Sequence, residues 1–477
     1  LLYKQNQRII NNQVPFNYVG IVGRATYDRA NRYLAEVNFG MNGSEQFAPG
    51  NRFGFFPSLS LGWVATEESF MKSQRFVQFL KLRGSFGQVG NDQISSRRFI
   101  YVDDWTQGAG GYFNGTGTIP GLPAAVYQNT MPNSEVTWEV SNKSNIGFES
   151  RLKGGFEWDV DLFYEKRNSI LITALPIPKF MFGMVALPPV NQGVMTNKGF
   201  ETTLTYKKKI NKDLFIMTRV AAAYAHNNIV NNNEVPYDST FVYRNRIEGY
   251  PIGTQWGYKN LGYFADAADI AASPDQSGVG KAIPGDLKYA DLNGDGIISE
   301  KDKMPMAHPL TPEVNVNFTL NVTYKNFDFS ILVQGVTNMT YNFSGRGVQD
   351  WTGNAQRYGW KNYFEINQYA WTPEKAANGG DIRYPRLHVD GISGNNEPSD
   401  YWLLDFWYIR VKNLELGYTL PQKMTSSIGL EKVRFYFNGL NLLTWDAMPF
   451  KYFDPEVANT LSHPIFINYN VGLNITF

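Results

Sequence analysis

The strongest constraint on this chain is a strict period of two along residues 465–477. Ile465, Ile467, Tyr469, Val471, Leu473, Ile475 and Phe477 are apolar, and Asn468, Asn470, Gly472, Asn474 and Thr476 stand between them. Successive side chains of a β-strand point to opposite faces, so this pattern makes one face greasy and the other wet. The wet face carries no charge, and the segment closes on an aromatic residue. Two architectures use such a strand. One is the edge of a soluble sandwich; the other is the wall of a transmembrane barrel, where alternate side chains meet lipid.

The residues upstream separate the two. Alternating segments recur at residues 3–11, 18–27, 33–41, 53–64, 80–89, 136–152, 156–172, 200–209, 214–228, 314–324, 327–336, 407–420 and 433–443. With the terminal segment this makes about thirteen or fourteen strands, each near the length that crosses a bilayer at a tilt. The joins alternate between tight turns, such as Lys153-Gly154-Gly155 and Lys325-Asn326, and loops of tens of residues. A sandwich has loops at both ends; a membrane barrel has short turns on one side and long loops on the other. The expectation is an all-β, antiparallel transmembrane barrel with short periplasmic turns and long extracellular loops. Residues 69–79 have helical character and are expected to form a small helix on the turn side.

Composition agrees. Aromatic residues make up 15% of 477 residues, as barrel walls with aromatic girdles require. With 44 basic and 43 acidic residues there is no electrostatic footprint for nucleic acid. Cysteine is absent, which excludes disulfides and thiolate metal sites. No apolar run is long enough for a membrane helix, but alternation hides a barrel from that criterion. The first residues carry no signal-peptide pattern, and the chain reads as starting in mid-protein.

One motif carries chemistry. Asp291, Asn293 and Asp295 occupy positions one, three and five of a twelve-residue loop, with Gly296 at the bend. The Ile297 carbonyl stands at seven, Ser299 at nine and Asp302 at twelve. Hard divalent cations take six to eight oxygens, and this spacing supplies them from one short loop. Calcium is the expected ion. Asp302 replaces the usual Glu, which makes magnesium the alternative, and no paired helices flank the loop. An Asx-rich turn without metal is the plainer reading. Residues 285–302 are therefore expected to be an ion-ordered outer loop. The four histidines, His226, His308, His388 and His463, have no ligand spacing, and no catalytic motif stands out, so no catalytic residue is assigned. In Phe156–Ile172 the carboxylates Glu157, Asp159, Asp161 and Glu165 fall on one face and suit a water-filled lumen better than catalysis. Trp105, Tyr112, Phe113, Trp351, Tyr358, Trp360 and Tyr363 lie in long loops and are candidate stacking platforms for sugar rings. Loop packing explains them equally well.

Several blocks together resemble the SusC/RagA family of TonB-linked outer-membrane proteins. They are Gly20–Tyr27 with Arg32–Leu34, Asn42–Trp63, Leu82–Asn91, Asn197–Glu201, Gly285–Gly296, Tyr408–Tyr418 and the terminal strand. The resemblance implies a 22-stranded nutrient-importing barrel in the outer membrane of a Gram-negative bacterium, in contact with lipid and lipopolysaccharide. It implies a SusD-like lipoprotein lid and transport driven by TonB through an amino-terminal plug. No plug or TonB box is visible here, so residues 1–477 are expected to be the carboxy-terminal part of the barrel. Oligosaccharide is the expected cargo and short peptide the alternative. A passive or adhesive surface barrel is a further reading, and a membrane-embedded enzyme would need a constellation the sequence does not display.

Overall fold

The computed structural model describes residues 2–9, 15–93, 98–107, 126–173, 187–235, 246–345, 348–349, 365–388, 394–449, 453–457 and 462–477. Its framework is one 14-stranded antiparallel sheet in which the strands follow one another in sequence order. The strands are β1 (Leu2–Ile9), β2 (Pro15–Arg29), β3 (Tyr33–Ser44), β4 (Phe53–Val64), β5 (Val77–Asn91), β6 (Glu139–Leu152) and β7 (Phe156–Thr173). Then come β8 (Pro189–Lys209), β9 (Leu214–Asn231), β10 (Val314–Tyr324), β11 (Phe327–Asn342), β12 (Leu403–Thr419), β13 (Lys432–Asp446) and β14 (Asn468–Thr476). The fold is the wall of an antiparallel barrel.

Register holds the two faces apart. Leu162 stands opposite Ile146 on β6 and Phe200 on β8. Val322 stands opposite Ile216 and Phe329, and Leu473 opposite Phe435. Each row is apolar across the strands, and a slip of one residue would exchange the faces. The apolar face is exposed, Val471 at 85%. Aromatics mark both of its rims: Tyr27, Tyr33, Trp63, Trp158, Tyr324 and Phe327 at the turn end, and Phe53, Phe55, Tyr164, Trp407, Trp445 and Tyr469 at the loop end.

The turn end is built by tight reversals. Ala30 and Asn31 both have left-handed backbones (φ 57° and 53°), which matches the twist of β2 and β3. Asp28 accepts a hydrogen bond from the Asn31 amide at 2.7 Å. Gly155 (φ 94°) sits so close to the neighbouring strand that a Cβ would lie 2.0 Å from the Lys207 carbonyl. At this point the chain needs glycine.

Two expectations are corrected. Residues 69–79 form no helix: hydrogen bonds of i→i+3 type turn residues 68–74, and β5 begins at Val77. Phe70 and Phe76 are 63% and 62% exposed, so no apolar face is buried that could offset the cost of nucleating a helix. The Gln74 side chain instead bonds both the N–H and the carbonyl of Val77 and starts the strand. Val136 and Trp138 precede β6 rather than opening it, packing with Phe47, Phe56 and Ile100. The long loop after β5 contains a small hairpin, Asp104–Gln107 paired with Val126–Thr130.

Conventional cores lie toward the loop end, where strand ends and loops pack on one another. The largest gathers Tyr341, Phe343, Val348, Ile366, Tyr384, Trp402 and Phe406.

Candidate functional site

The polar face of the sheet mixes charged and uncharged strands. Across β5 to β8 it is an ion ladder. Glu149 lies 3.6 Å from Lys81 and 3.4 Å from Arg83, Arg83 reaches Asp161 at 2.5 Å, and Glu157 reaches Lys207 at 2.8 Å. Further up, Glu165 accepts from Ser141 at 2.6 Å and from Arg167 at 3.1 Å. Three of the β7 carboxylates thus meet cations, from β8 (Lys207), from β5 across β6 (Arg83) and from β7 itself (Arg167). On β10 the same face reads Asn315, Asn317, Thr319, Asn321 and Thr323, uncharged throughout, as does β14 with Asn470 and Asn474. Amides and hydroxyls both donate and accept, which suits neutral hydrogen-bonding solutes.

At the loop end two insertions form a joint layer. Residues 246–313, between β9 and β10, carry the pairs Thr254–Gly257 with Met304–Pro309 and Asn260–Tyr263 with Leu287–Tyr289. The described residues between β11 and β12 pack against them. Buried Asp286 accepts from Asn395 at 2.9 Å and from the Ile283 amide at 2.9 Å, and His388 Nε2 lies 2.6 Å from it. Asp400 pairs with Lys259 at 2.6 Å. Tyr258 stacks on Tyr289 at 4.9 Å, and Tyr263 meets Tyr401 edge-on. Burial raises the phenol pKa of both Tyr289 and Tyr401. Those hydroxyls stay protonated and act as neutral fasteners.

Residues 291–302 sit inside this layer. Asp291 accepts from the amides of Gly294 at 2.7 Å and Gly296 at 2.8 Å. Burial works to raise its pKa, but the amides of Gly296, Gly294, Asp295 and Asn293 outweigh that and hold the carboxyl below its usual range. Asn293 and Asp295 bond one another and the turn backbone. Gly294 and Gly296 have φ of 73° and 80°, which the bends require. Asp302 is wholly buried and accepts from Leu292 at 2.9 Å, Asn293 at 3.4 Å and Ser299 at 2.7 Å. Ile298 pins the loop to the cluster of Tyr258, Leu287 and Tyr289. The donors are all hard oxygens, the type calcium and magnesium take. Asp302 has the additional task of closing the loop. Among the described residues no group of three His, Cys, Asp or Glu side chains is arranged to hold a metal.

Of the loop aromatics, Trp105 lies on the Asp104–Gln107 strand and is 60% exposed. Tyr112, Phe113, Trp351, Tyr358, Trp360 and Tyr363 fall outside the described residues. Sequence reasoning missed two features. His226 lies 2.6 Å from buried Glu313, with His308 3.9 Å from the same carboxylate. Arg410, 3% exposed, forks onto Asp454 at 2.9 and 3.0 Å while Lys412 holds Glu456 at 2.7 Å, fastening residues 453–457 to the polar face. Both unite residues tens of positions apart, and no local pattern announces them.

No protein-family model matches the chain. It is 29% identical over 487 residues to the TonB-dependent receptor P26 of Formosa agariphila, covering 97% of this chain and 46% of that protein. It is 26% identical to the TonB-dependent receptor SusC of Bacteroides thetaiotaomicron, covering 96% and 44%. By sequence the chain is related to the SusC-type TonB-dependent receptors. Its fold agrees: the RagAB peptide importer in its 'closed-closed' state superposes with a TM-score of 0.72 at 20% identity, over 97% of this chain and 48% of that one. The chain spans about half the length of the curated receptors it matches, 46% and 44%.

Proposed function

We propose that these residues form the wall and outer loop layer of an active SusC-type nutrient importer in the outer membrane. The apolar face meets lipid, the polar face lines the path, and the turn end faces the periplasm. Further strands complete a 22-stranded barrel, TonB acts on a plug outside this segment, and a SusD-like lipoprotein closes the loop end. Cargo is bound and passed without bond-making. One observation supports this most: an unbroken 14-stranded meander with lipid-compatible and hydrated faces, turned at one end and looped at the other.

Oligosaccharide is the cargo favoured by the uncharged Asn and Thr rows of β10 and β14. Short peptide is the second reading, because a solved structure of this fold, RagAB, is a peptide importer. Calcium, with magnesium as the alternative, would be held by Asp291, Asn293, Asp295, the Ile297 carbonyl, Ser299 and Asp302, and would stiffen the layer on which the lid rests. The test is affinity purification of the native protein from outer membranes, with mass spectrometry of what accompanies it. A surface lipoprotein and bound glycan are expected. Bound peptide would replace the cargo assignment, and recovery of a barrel without lipoprotein or plug would refute active import in favour of a passive or adhesive barrel.

A further inference from the structure

On β7 and β8 the apolar face ends in positive charge at its loop-end rim. On β7 it runs Phe156, Trp158, Val160, Leu162, Tyr164 and then Lys166; on β8 it runs Tyr206, Leu204, Thr202, Phe200 and then Lys198. Lys198 stands directly opposite Tyr164, and Thr196 directly opposite Lys166. The two lysines are thus diagonal neighbours with a threonine between them, close enough for their flexible stems to converge. Both are exposed, and neither pairs with a carboxylate among the described residues. Glu165 points to the opposite face, where Ser141 and Arg167 engage it. Glu313 is held by His226, the residue opposite Lys198 on β9. On the β6 side the row continues with Asn142, whose amide oxygen accepts from Gln88.

Height decides what this corner meets. Eight residues separate Phe156 from Tyr164. At roughly 3.3 Å per residue and a tilt of about 40° they climb roughly 20 Å, most of an apolar band about 25 Å tall. Lys166, two residues further on, lies where hydrocarbon gives way to headgroups, directly above the Tyr164 ring.

We propose that Lys166 and Lys198, with the Thr196 hydroxyl between them, bind the phosphate of an anionic lipid headgroup in the leaflet at the loop end. The acyl chains of that lipid would lie against Leu162, Phe200 and Leu204 below. The inference rests on the membrane placement proposed above. Charge complementarity and continuity with the apolar face select a lipid over a soluble acidic partner.

The test uses the full-length protein, extracted from membranes in neutral detergent and exposed to equal amounts of phosphatidylglycerol and phosphatidylcholine. Native mass spectrometry counts the lipids retained. The wild type is expected to retain phosphatidylglycerol in preference by roughly tenfold or more, as two interfacial lysines allow. Lys166→Gln with Lys198→Gln should bring the ratio near one, while heat-modifiable gel migration shows the barrel intact. Lys208→Gln, on the same face at the turn end, should leave the preference in place. An unchanged preference in the double variant, its loss in Lys208→Gln alone, or no preference in the wild type would each overturn the site. If the double variant lost affinity for an acidic protein partner but kept its lipid ratio, the corner would be a protein contact and the proposal wrong. Recovery of the wild type from the soluble fraction would instead sink the membrane placement itself.

Discussion

Replacing Leu320 by arginine tests the central assignment, that the apolar face lies in hydrocarbon. Leu320 is on β10, opposite Thr218 on β9 and Ile331 on β11. It lies four residues from Tyr324, which marks the turn-end rim. At roughly 3.3 Å per residue and a tilt of about 40°, Leu320 is about 10 Å inside that rim, close to the middle of a 25 Å band. Arginine near the midplane costs about 2–4 kcal/mol, against about 0–1 kcal/mol at an interface. Leu320→Arg should therefore shift the folding equilibrium roughly 30- to 1000-fold toward the unfolded state. Asn321→Arg, one residue away on the polar face, and Tyr324→Arg, at the rim, should each shift it less than about 5-fold. The assay is folding of the full-length protein into phosphatidylcholine vesicles across a guanidinium titration, followed by tryptophan fluorescence and heat-modifiable migration. If Leu320→Arg is no more disruptive than Asn321→Arg, the apolar face is not in lipid, and the membrane reading of the alternation is wrong.

Three further outcomes are expected in the loop layer. Asp302→Ala removes a charged, buried acceptor from three backbone amides, such bonds being worth about 1.5–3 kcal/mol each; because the amides are only partly buried and the one to Asn293 is long, local stability should fall by roughly 2–4 kcal/mol. Hydrogen exchange should then quicken across residues 287–306 and stay unchanged in the strands; unchanged exchange in the loop would disprove the closing role. Asp291→Ala with Asp295→Ala should abolish the calcium-dependent part of that protection and weaken lid binding while the barrel assembles, and a loop indifferent to both chelator and variant would show that no ion acts there. The Asp291 carboxyl is held below its unfolded value, so it stabilises the loop above that value and the contribution is lost as pH falls through the lower, folded one. Loop protection should be flat from pH 5 to 8 and drop below about pH 4, whereas loss already above pH 5 would refute the assignment to Asp291.

The strands were legible because one physical rule, lipid on one side and water on the other, acts along their whole length. Val314–Tyr324 shows it without interruption, and its boundaries matched to the residue. Where the rule lapses, so did the reading. β8 starts at Pro189, not Phe200, because register shifts near Gly193 break the alternation over its first residues. At the other extreme, Ile465–Ile467 alternate yet lie outside β14, held by irregular contacts such as Ile465 N–H to Asp454 and Asn441 to the Phe466 carbonyl. Aspartates at fixed spacing within twelve residues were readable as a loop that could order itself. The second duty of Asp302 was not, because the spacing is the same whether that carboxylate faces an ion or, wholly buried, closes the loop on its own amides. The His388–Asp286 and Arg410–Asp454 contacts span 102 and 44 residues, so only the folded sheet brings them together.

The division of the polar face bears directly on what the path can select. Charges facing water would attract ions of opposite sign over roughly 10 Å at moderate salt. In the β5–β8 ladder, however, Glu149 already faces Lys81 and Arg83, Asp161 faces Arg83, and Glu157 faces Lys207. The same holds on the far side, where Arg434 is forked onto Asp328 and bonds Glu415 at 2.6 Å. These pairs offset one another within the wall, Asp159, Glu201 and Arg219 add further charge on the same face, and the amides and hydroxyls of β10 and β14 add donors and acceptors without charge. A neutral, hydroxyl-rich cargo exchanges water for such groups without having to displace an ion pair. A charged peptide would have to compete with bonds as short as Arg83 to Asp161 at 2.5 Å. The Asn and Thr rows are what support the oligosaccharide reading proposed above. On the import reading proposed above, Arg83→Gln removes a cation and frees Asp161, so glycan uptake by the full-length protein should stay nearly unchanged while uptake of cationic peptide rises.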